Sequence, residues 1–415
     1  MVSNIAKYSI LAVTLSFIGL PIYVNIGDFY ATKYELSLAF LGSCLFIVRF
    51  IDIFSDILIG YYSNLLVKNN YSRSKIIKYS LLILIFLFFA LFNPPNFNSK
   101  LSTGLWLIVI LSFTYIFFNI ALINYESIAG LIANNDNERI NINSFKEFFG
   151  VIGLILAAIT PYIAIDHNSA QNIQNYKLMT ICFALIAIIS LFYFSKIKFN
   201  EFQTSSVKNN IFIAFKNKKF LTFSILYLIN SIAIALPSAN IIFYARTILN
   251  KENLIGLYLA TYLIFTALSI FLWKYLLNRY PISKIWIFAI IGSILSFIIA
   301  FFIDQNTAIL FIFICILTGF FAGPDLVIPP TIIAKIAKKS HYPISSFFSI
   351  YNMLTKIAIS FAASMSLFIL SYFDYSPTSI SNNSSYIIPY LYSLIPCIIR
   401  VIIIYLIIKY QKLWT

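Results

Sequence analysis

The chain has 415 residues, of which 60% are hydrophobic and only 10% charged, against the roughly 25% charged residues of a soluble globular protein, so that class is excluded. Dividing the length by the roughly 35 residues that one apolar span and its loop occupy gives about twelve crossings, which makes the chain an all-α polytopic membrane protein, and the long unbroken apolar runs exclude a β-barrel. The net charge of +15 is scattered through short loops with no contiguous basic face, so it is a topology signal and no nucleic-acid partner is expected.

The first apolar run starts near Tyr8 and passes Pro21 towards Tyr30 without a small-residue cleavage site, so it is expected to stay as the first helix. In chain order the predicted spans are 8–30, 36–62, 77–95, 102–125, 144–165, 177–195, 220–245, 254–276, 285–303, 307–329, 346–372 and 388–408. With both termini on one side, 21 of the 29 basic residues fall in the loops of that side, and only Lys33, Lys100, Lys177, Arg246 and Lys251 fall opposite. Basic loops stay in the cytoplasm, so both termini are expected there. The longest polar stretch, Ser195 to Lys219, carries six lysines near the midpoint. The expected domains are therefore a six-helix bundle over 1–195, a cytoplasmic linker over 196–219 and a second six-helix bundle over 220–415. Tyr71-Ser-Arg-Ser-Lys-Ile76 and Tyr280-Pro-Ile-Ser-Lys-Ile285 stand 209 residues apart, and the same offset carries Glu147 to Lys356. A repeat of this kind fits a six-plus-six transporter architecture.

Ionisable groups inside the hydrocarbon cost at least about 2.5–3.5 kcal/mol each, so they mark function. The second span places Arg49, Asp52 and Asp56 at i, i+3 and i+7, on one helical face. Two carboxylates one turn apart repel, and a bound cation, a proton or a basic partner must satisfy them. A cation-coupled carrier needs such a locus; the bland alternative is a fixed Arg49–Asp52 pair with Asp56 hydrated. Lys356, inside the eleventh span, is the remote partner expected to neutralise these acids, or else helix-to-helix glue. Arg400 in the last span is read as a structural pairing. Asp325 follows Pro324 and precedes Pro329 and Pro330, so the tenth helix is expected to break there, with Asp325 in an accessory role. Gly319 and Gly323 form a small-residue packing motif in the same span. Cys44, Cys182, Cys315 and Cys397 each stand alone in apolar runs and are read as packing residues. His167 and His341 fall in loops, and no cofactor, metal or nucleophile motif is present in the sequence.

Three blocks carry a family resemblance. Leu45 to Gly60, Asn124-Tyr125 through Arg139 with the following Phe148-Phe149-Gly150, and Ser345 to Asp374 with Phe347, Phe348, Asn352 and Lys356 resemble the glycoside, pentoside and hexuronide cation symporters. These are the melibiose-permease-like branch of the major facilitator superfamily. The resemblance implies the major facilitator fold, a cation site at Asp52 and Asp56, a metal site only if the ion is sodium, and Lys356 approaching from the eleventh helix. It also shows departures. Ser16 stands where sugar-transporting members carry a first-helix aspartate, and Leu122, with Asn124 nearby, where some carry a fourth-helix aspartate. Glu147, beside Lys146, occupies the fifth-helix arginine position, and Glu126 the fourth-helix tryptophan position. Losing a carboxylate and an arginine that would hold a sugar hydroxyl argues against a melibiose-like glycoside. Glu126 and Glu147 would favour a cationic or hydroxyl-rich cargo, unless they are solvated charges, Glu147 at the start of its helix and Glu126 facing loop water.

The expected protein is a secondary active transporter of the bacterial inner membrane, not an enzyme. Sodium or a proton drives a small polar solute by alternating access. Asp52 and Asp56 hold the ion, Arg49 and Lys356 neutralise the empty site, and Ser16, Asn124, Tyr125, Glu126, Glu147, Tyr351 and Asn352 contact the solute. The alternatives are an uncoupled facilitator or exchanger of the same fold and, from another class, an integral membrane enzyme or non-transporting receptor. A lipid bilayer is the one further partner, and no protein partner is implied.

Overall fold

The computed structural model describes residues 2–34, 36, 38–68, 71–97, 99–133, 135–160, 169–197, 213–251, 254–340, 342–373 and 382–411. Helices dominate them, because a backbone N–H or C=O without water must find its partner inside its own segment. The first unit comprises residues 1–213 together with 337–350. It holds α1 (Val2–Leu20), a π turn (Pro21–Asn25), α2 (Ile26–Tyr34), α3 (Leu38–Lys68), α4 (Arg73–Phe92), α5 (Lys100–Ile132), α6 (Asp136–Ile159) and α7 (Ser169–Ser195). The second unit comprises residues 214–336 and 351–415. Its helices are α8 (Lys218–Thr247), α9 (Ile255–Leu277), α10 (Ile282–Phe301), α11 (Leu310–Lys338), α12 (Ile344–Tyr372), α13 (Asn382–Pro389) and α14 (Ile395–Tyr410), with a π turn at Tyr390–Leu394. The ends of α11 and α12 around the 337–350 segment belong to the first unit. Ten of the described helices are long and apolar enough to cross a membrane.

Helix starts follow local chemistry. Ser99, Asn135 and Asn217 each accept the backbone N–H of a first-turn residue, at Ser102 (3.1 Å), Glu138 (2.8 Å) and Lys219 (3.0 Å). These side chains satisfy donors that a helix N-terminus leaves without partners. The Asn135 cap moves the start of α6 to Asp136, eight residues before the predicted span, and α5 runs on to Ile132.

In the first unit α1 packs against α6 and α7, α4 against α5 and α7, and α3 against α5. The α1–α6 crossing is close because Gly153 faces the Val13 backbone; a Cβ there would meet the Val13 carbonyl. Gly319 faces the Tyr262 carbonyl in the same manner, and Gly323 faces Ser269 and Trp273, so the small-residue motif does bring α9 and α11 together.

The tenth predicted span does not break. α11 is helical throughout, although Pro324, Pro329 and Pro330 lie inside it. A proline deprives the carbonyl four residues earlier of its donor. For Pro324 that carbonyl is Phe320, and Trp273 on α9 supplies the missing donor, its indole N–H reaching the Phe320 oxygen at 2.7 Å. His167, His341 and residues 198–212 of the predicted linker lie outside the described residues.

Candidate functional site

The predicted acidic face forms on α3. Asp52 and Asp56 are fully buried, and one Arg49 terminal nitrogen donates to Asp52 Oδ2 at 3.1 Å. The guanidinium lies 5.7 Å from the Tyr115 ring centroid on α5. Asp52 Oδ1 accepts from Asn119 Nδ2 at 2.9 Å, and the same amide reaches Ser55 Oγ at 3.2 Å. Sequence reasoning missed Asn119. It sought the α5 contribution at Leu122 or Asn124, but the α3–α5 packing turns Asn119 towards the carboxylates. Its one visible signal is an amide in an otherwise apolar stretch. Arg49, Asp52 and Asp56 together sum to one negative charge, set in a bundle interior with a hydroxyl and an amide beside it. Carboxylates lined by a hydroxyl and an amide suit a monovalent cation or a proton. Asn119→Ala is expected to weaken activation by the coupling ion about tenfold, the loss of one hydrogen bond to a charged group, seen as a rightward shift of uptake against ion concentration.

Asn124 is placed elsewhere. Its Nδ2 donates to Ser63 Oγ at 2.9 Å and to the Ile120 carbonyl, and its Oδ1 accepts from Arg73 at 3.0 Å. Arg73 also reaches Asn64 Oδ1 at 3.4 Å, and Asn64 Nδ2 donates to Ser346 Oγ at 3.1 Å. Arg73 is thus a buried residue of a polar cluster within the first unit, not the loop charge it was counted as.

Tyr125 stacks on Tyr8 with centroids 4.3 Å apart. The Tyr8 hydroxyl donates to the Tyr125 carbonyl at 2.7 Å, and the Tyr125 hydroxyl to the Tyr8 carbonyl at 3.1 Å. This reciprocal clasp joins α1 to α5, and both rings are buried. Ser16, half-buried on α1, faces Gly150 of α6.

Glu126 and Glu147 are not the solvated charges that the sequence left open. Glu126 is 5% exposed within α5, and Glu147 stands three turns inside α6 because that helix begins at Asp136. Lys146, counted as a loop charge, is buried between them, its Nζ 3.0 Å from Glu147 Oε1 and 3.5 Å from Glu126 Oε1. The structure therefore joins the two glutamates through a lysine and leaves the trio with one net negative charge.

In the second unit Tyr351 packs its ring on Tyr227 at 4.6 Å, and the Tyr227 hydroxyl pairs with Thr355 Oγ1 at 2.8 Å. Asn352 is buried and Lys356 half-buried on the same helix. Arg400 pairs with Asp325 at 2.9 Å, as a structural pairing would require.

The sequence matches the profile of the family described as MFS/sugar transport protein over residues 7–411. No curated relative matches the sequence significantly. Among solved structures, the chain is similar in fold to the E. coli fucose:proton symporter, at 13% identity and a TM-score of 0.67 over 97% of this chain and 98% of that one. It is similar to the proton:xylose symporter bound to 6-bromo-6-deoxy-D-glucose, at 13% identity and a TM-score of 0.68 over 99% and 98%. It is also similar to a bacterial homologue of the iron transporter ferroportin, at 12% identity and a TM-score of 0.72 over 99% and 100%. At such identities these likenesses establish the major facilitator fold. The family match covers nearly the whole chain, and the chain belongs to the MFS/sugar transport protein family, the melibiose-permease-like membrane transporters, which are not enzymes.

Proposed function

We propose that the protein is a cation-coupled symporter that moves a small, hydroxyl-rich polar solute across the bacterial inner membrane by alternating access, with its termini in the cytoplasm. The observation that carries the coupling is the buried α3 face, where Asp52 and Asp56 stand one turn apart with Arg49 and Asn119 both donating to Asp52. A buried acidic pair whose charge depends on ion occupancy gives loaded and empty forms different conformational preferences, and that difference is what couples two fluxes. Sodium, with Asp52 and Asp56 as metal ligands, or a proton can fill this role. Two neighbours in fold are named as proton symporters of fucose and xylose.

Ser16, Asn124, Tyr125, Glu126 and Glu147 in the first unit, and Tyr351 and Asn352 in the second, are the residues this reading assigns to the solute. Within that set Asn124 and Tyr125 act by positioning, since their polar groups already bind Ser63, Arg73 and Tyr8. Glu147 is the more open acid, with 22% of its side chain exposed. Arg49, and Lys356 from the second unit, are the neutralising cations.

The Arg49–Asp52 distance favours one second reading, an uncoupled facilitator in which that pair only fixes α3. Purified protein in liposomes, offered a panel of neutral sugars, amino sugars and amines under separately imposed sodium and pH gradients, separates the two. Uphill accumulation under one gradient is expected. Purely downhill flux under both gradients would leave the facilitator.

A further inference from the structure

Two serine hydroxyls in the first unit are buried away from any donor or acceptor. Ser9 on α1 and Ser144 on α6 are 0% exposed, and neither Oγ meets a hydrogen-bond partner among the described residues. The two helices pack along each other. A spacing of seven sets Ser9 and Ser16 two turns apart on one face of α1, and spacings of three set Ser144, Glu147 and Gly150 on one face of α6. Gly150 joins these faces, since a Cβ there would stand 3.0 Å from Ser16 Oγ. Buried polar groups are as a rule hydrogen-bonded, so hydroxyls left open beside a partly open carboxylate point to a ligand that is polar.

The chemistry of the neighbouring groups narrows that ligand further. The Tyr8 and Tyr125 hydroxyls each donate to the other's carbonyl, and Lys146 Nζ lies between Glu147 Oε1 and Glu126 Oε1. Both tyrosines interact electrostatically with both glutamates, so these donors belong to the same neighbourhood, and they are already engaged. What the cluster still offers is an acceptor. Glu147 keeps 22% of its side chain open, and among the described residues only Lys146 pairs with it. An ionised carboxylate has no proton to give, so the ligand must bring the donor. Lys146 already shows which donor this cluster holds, an ammonium between two carboxylates. One ammonium against two carboxylates leaves one negative charge, and a neutral sugar hydroxyl would leave it uncompensated. A second ammonium would compensate it, through charge-assisted hydrogen bonds about twice as strong as neutral ones.

We propose that the transported solute carries a protonated primary amine on a hydroxyl-rich frame, as an amino sugar or amino polyol does, with its ammonium on Glu147 and its hydroxyls on Ser16 and Ser144. The inference rests on the reading of the chain as a solute carrier with Glu147 in its solute site, and it adds a charge to the class of solute. Glu147 is then the specificity-determining residue. It selects for the ammonium over a hydroxyl in the same place, while the serines serve the part of the solute that charged and neutral compounds share.

Calorimetric titration of the full-length protein in lipid nanodiscs at about pH 6.5 tests this with matched pairs: glucosamine against glucose, galactosamine against galactose, and 1-amino-1-deoxysorbitol against sorbitol. Each pair differs by one amine in place of one hydroxyl, and amines of this kind are protonated at that pH. In the pair that fits the site, the amine is expected to bind at least about tenfold more tightly than its neutral counterpart, the effect of one hydrogen bond to a charged group. In Glu147→Gln the two members should converge, with the amine weakened and the neutral compound unchanged, whereas Glu147→Asp should keep most of the difference. Equal binding within every pair, tighter binding of the neutral members, or no binding by any amine overturns the proposal. An amine preference that survives Glu147→Gln undiminished overturns it as well. If Glu147→Gln does not fold, the wild-type pairs and Glu147→Asp decide the matter. Amine binding without uphill uptake under either a sodium or a pH gradient removes the symport reading alone. Uphill uptake of a neutral sugar with no uptake of its amine removes this inference alone.

Discussion

Asp56→Asn is expected to abolish uphill accumulation while leaving downhill solute flux measurable. The substitution keeps the size and polarity of the side chain and removes one charge. Arg49, Asp52 and Asp56 sum to one negative charge, and Arg49 already sits 3.1 Å from Asp52, while Asn119 holds the other Asp52 oxygen at 2.9 Å. Neutralising Asp56 removes one of the two buried carboxylates that the coupling ion would neutralise. The free energy that the ion loses is then of the order of the cost of one buried charge, at least about 2.5–3.5 kcal/mol. An ion whose binding loses that much falls by about a hundredfold in affinity and no longer shifts the conformational equilibrium at ordinary concentrations. Proteoliposomes under the effective gradient should then fill only to equilibrium, with at least about a tenfold loss in the accumulation ratio. Counterflow of labelled solute should survive, because it needs no net ion movement. Wild-type accumulation in this variant would mean that the acids only hold α3 in place.

The sequence made the helices legible and left their mutual rotation unreadable. A membrane forces every span to be a continuous apolar helix, so composition alone located the spans to within a few residues at most ends. It erred where a polar cap extended a helix, as at Asn135, because nothing in an apolar count reports a capping side chain. It erred at α11 because the partner that replaces the Pro324 hydrogen bond, Trp273, lies 47 residues from the carbonyl it satisfies. The acidic face on α3 was readable, since i, i+3 and i+7 fix a face within one helix. Asn119 was not, because which α5 residue meets Asp52 depends on the crossing of two helices. The same limit hid Lys146. Its neighbour in sequence, Glu147, and its distant neighbour, Glu126, looked like two separate acids until the packing of α5 and α6 placed one ammonium between them.

That ammonium carries the second large effect. Lys146→Met is expected to destabilise the protein strongly, because it leaves a buried Glu126 and a half-buried Glu147 without the ammonium that joins them. Removing one partner of a buried ion pair costs about 3–5 kcal/mol, most of it the penalty of the charge left behind. Here two charges of the same sign remain, with Lys146 having been 3.0 Å from one and 3.5 Å from the other. A thermal-shift measurement on purified protein should show a fall of roughly 10 °C. The charge argument makes a sharper demand on the double variant. Adding Glu126→Gln to Lys146→Met removes one of the two stranded carboxylates, so it should recover at least half of the lost stability, a strongly non-additive result for residues in contact. A packing role for the lysine stem predicts the opposite, since Gln fills no more space than Glu and would recover nothing. Wild-type stability in Lys146→Met would mean that the two glutamates are hydrated. The double variant also probes the solute site, because it preserves the trio's net charge of −1 at Glu147, the more open acid. If that charge is what draws the solute in, uptake should follow the recovered fold and be lost again on Glu147→Gln.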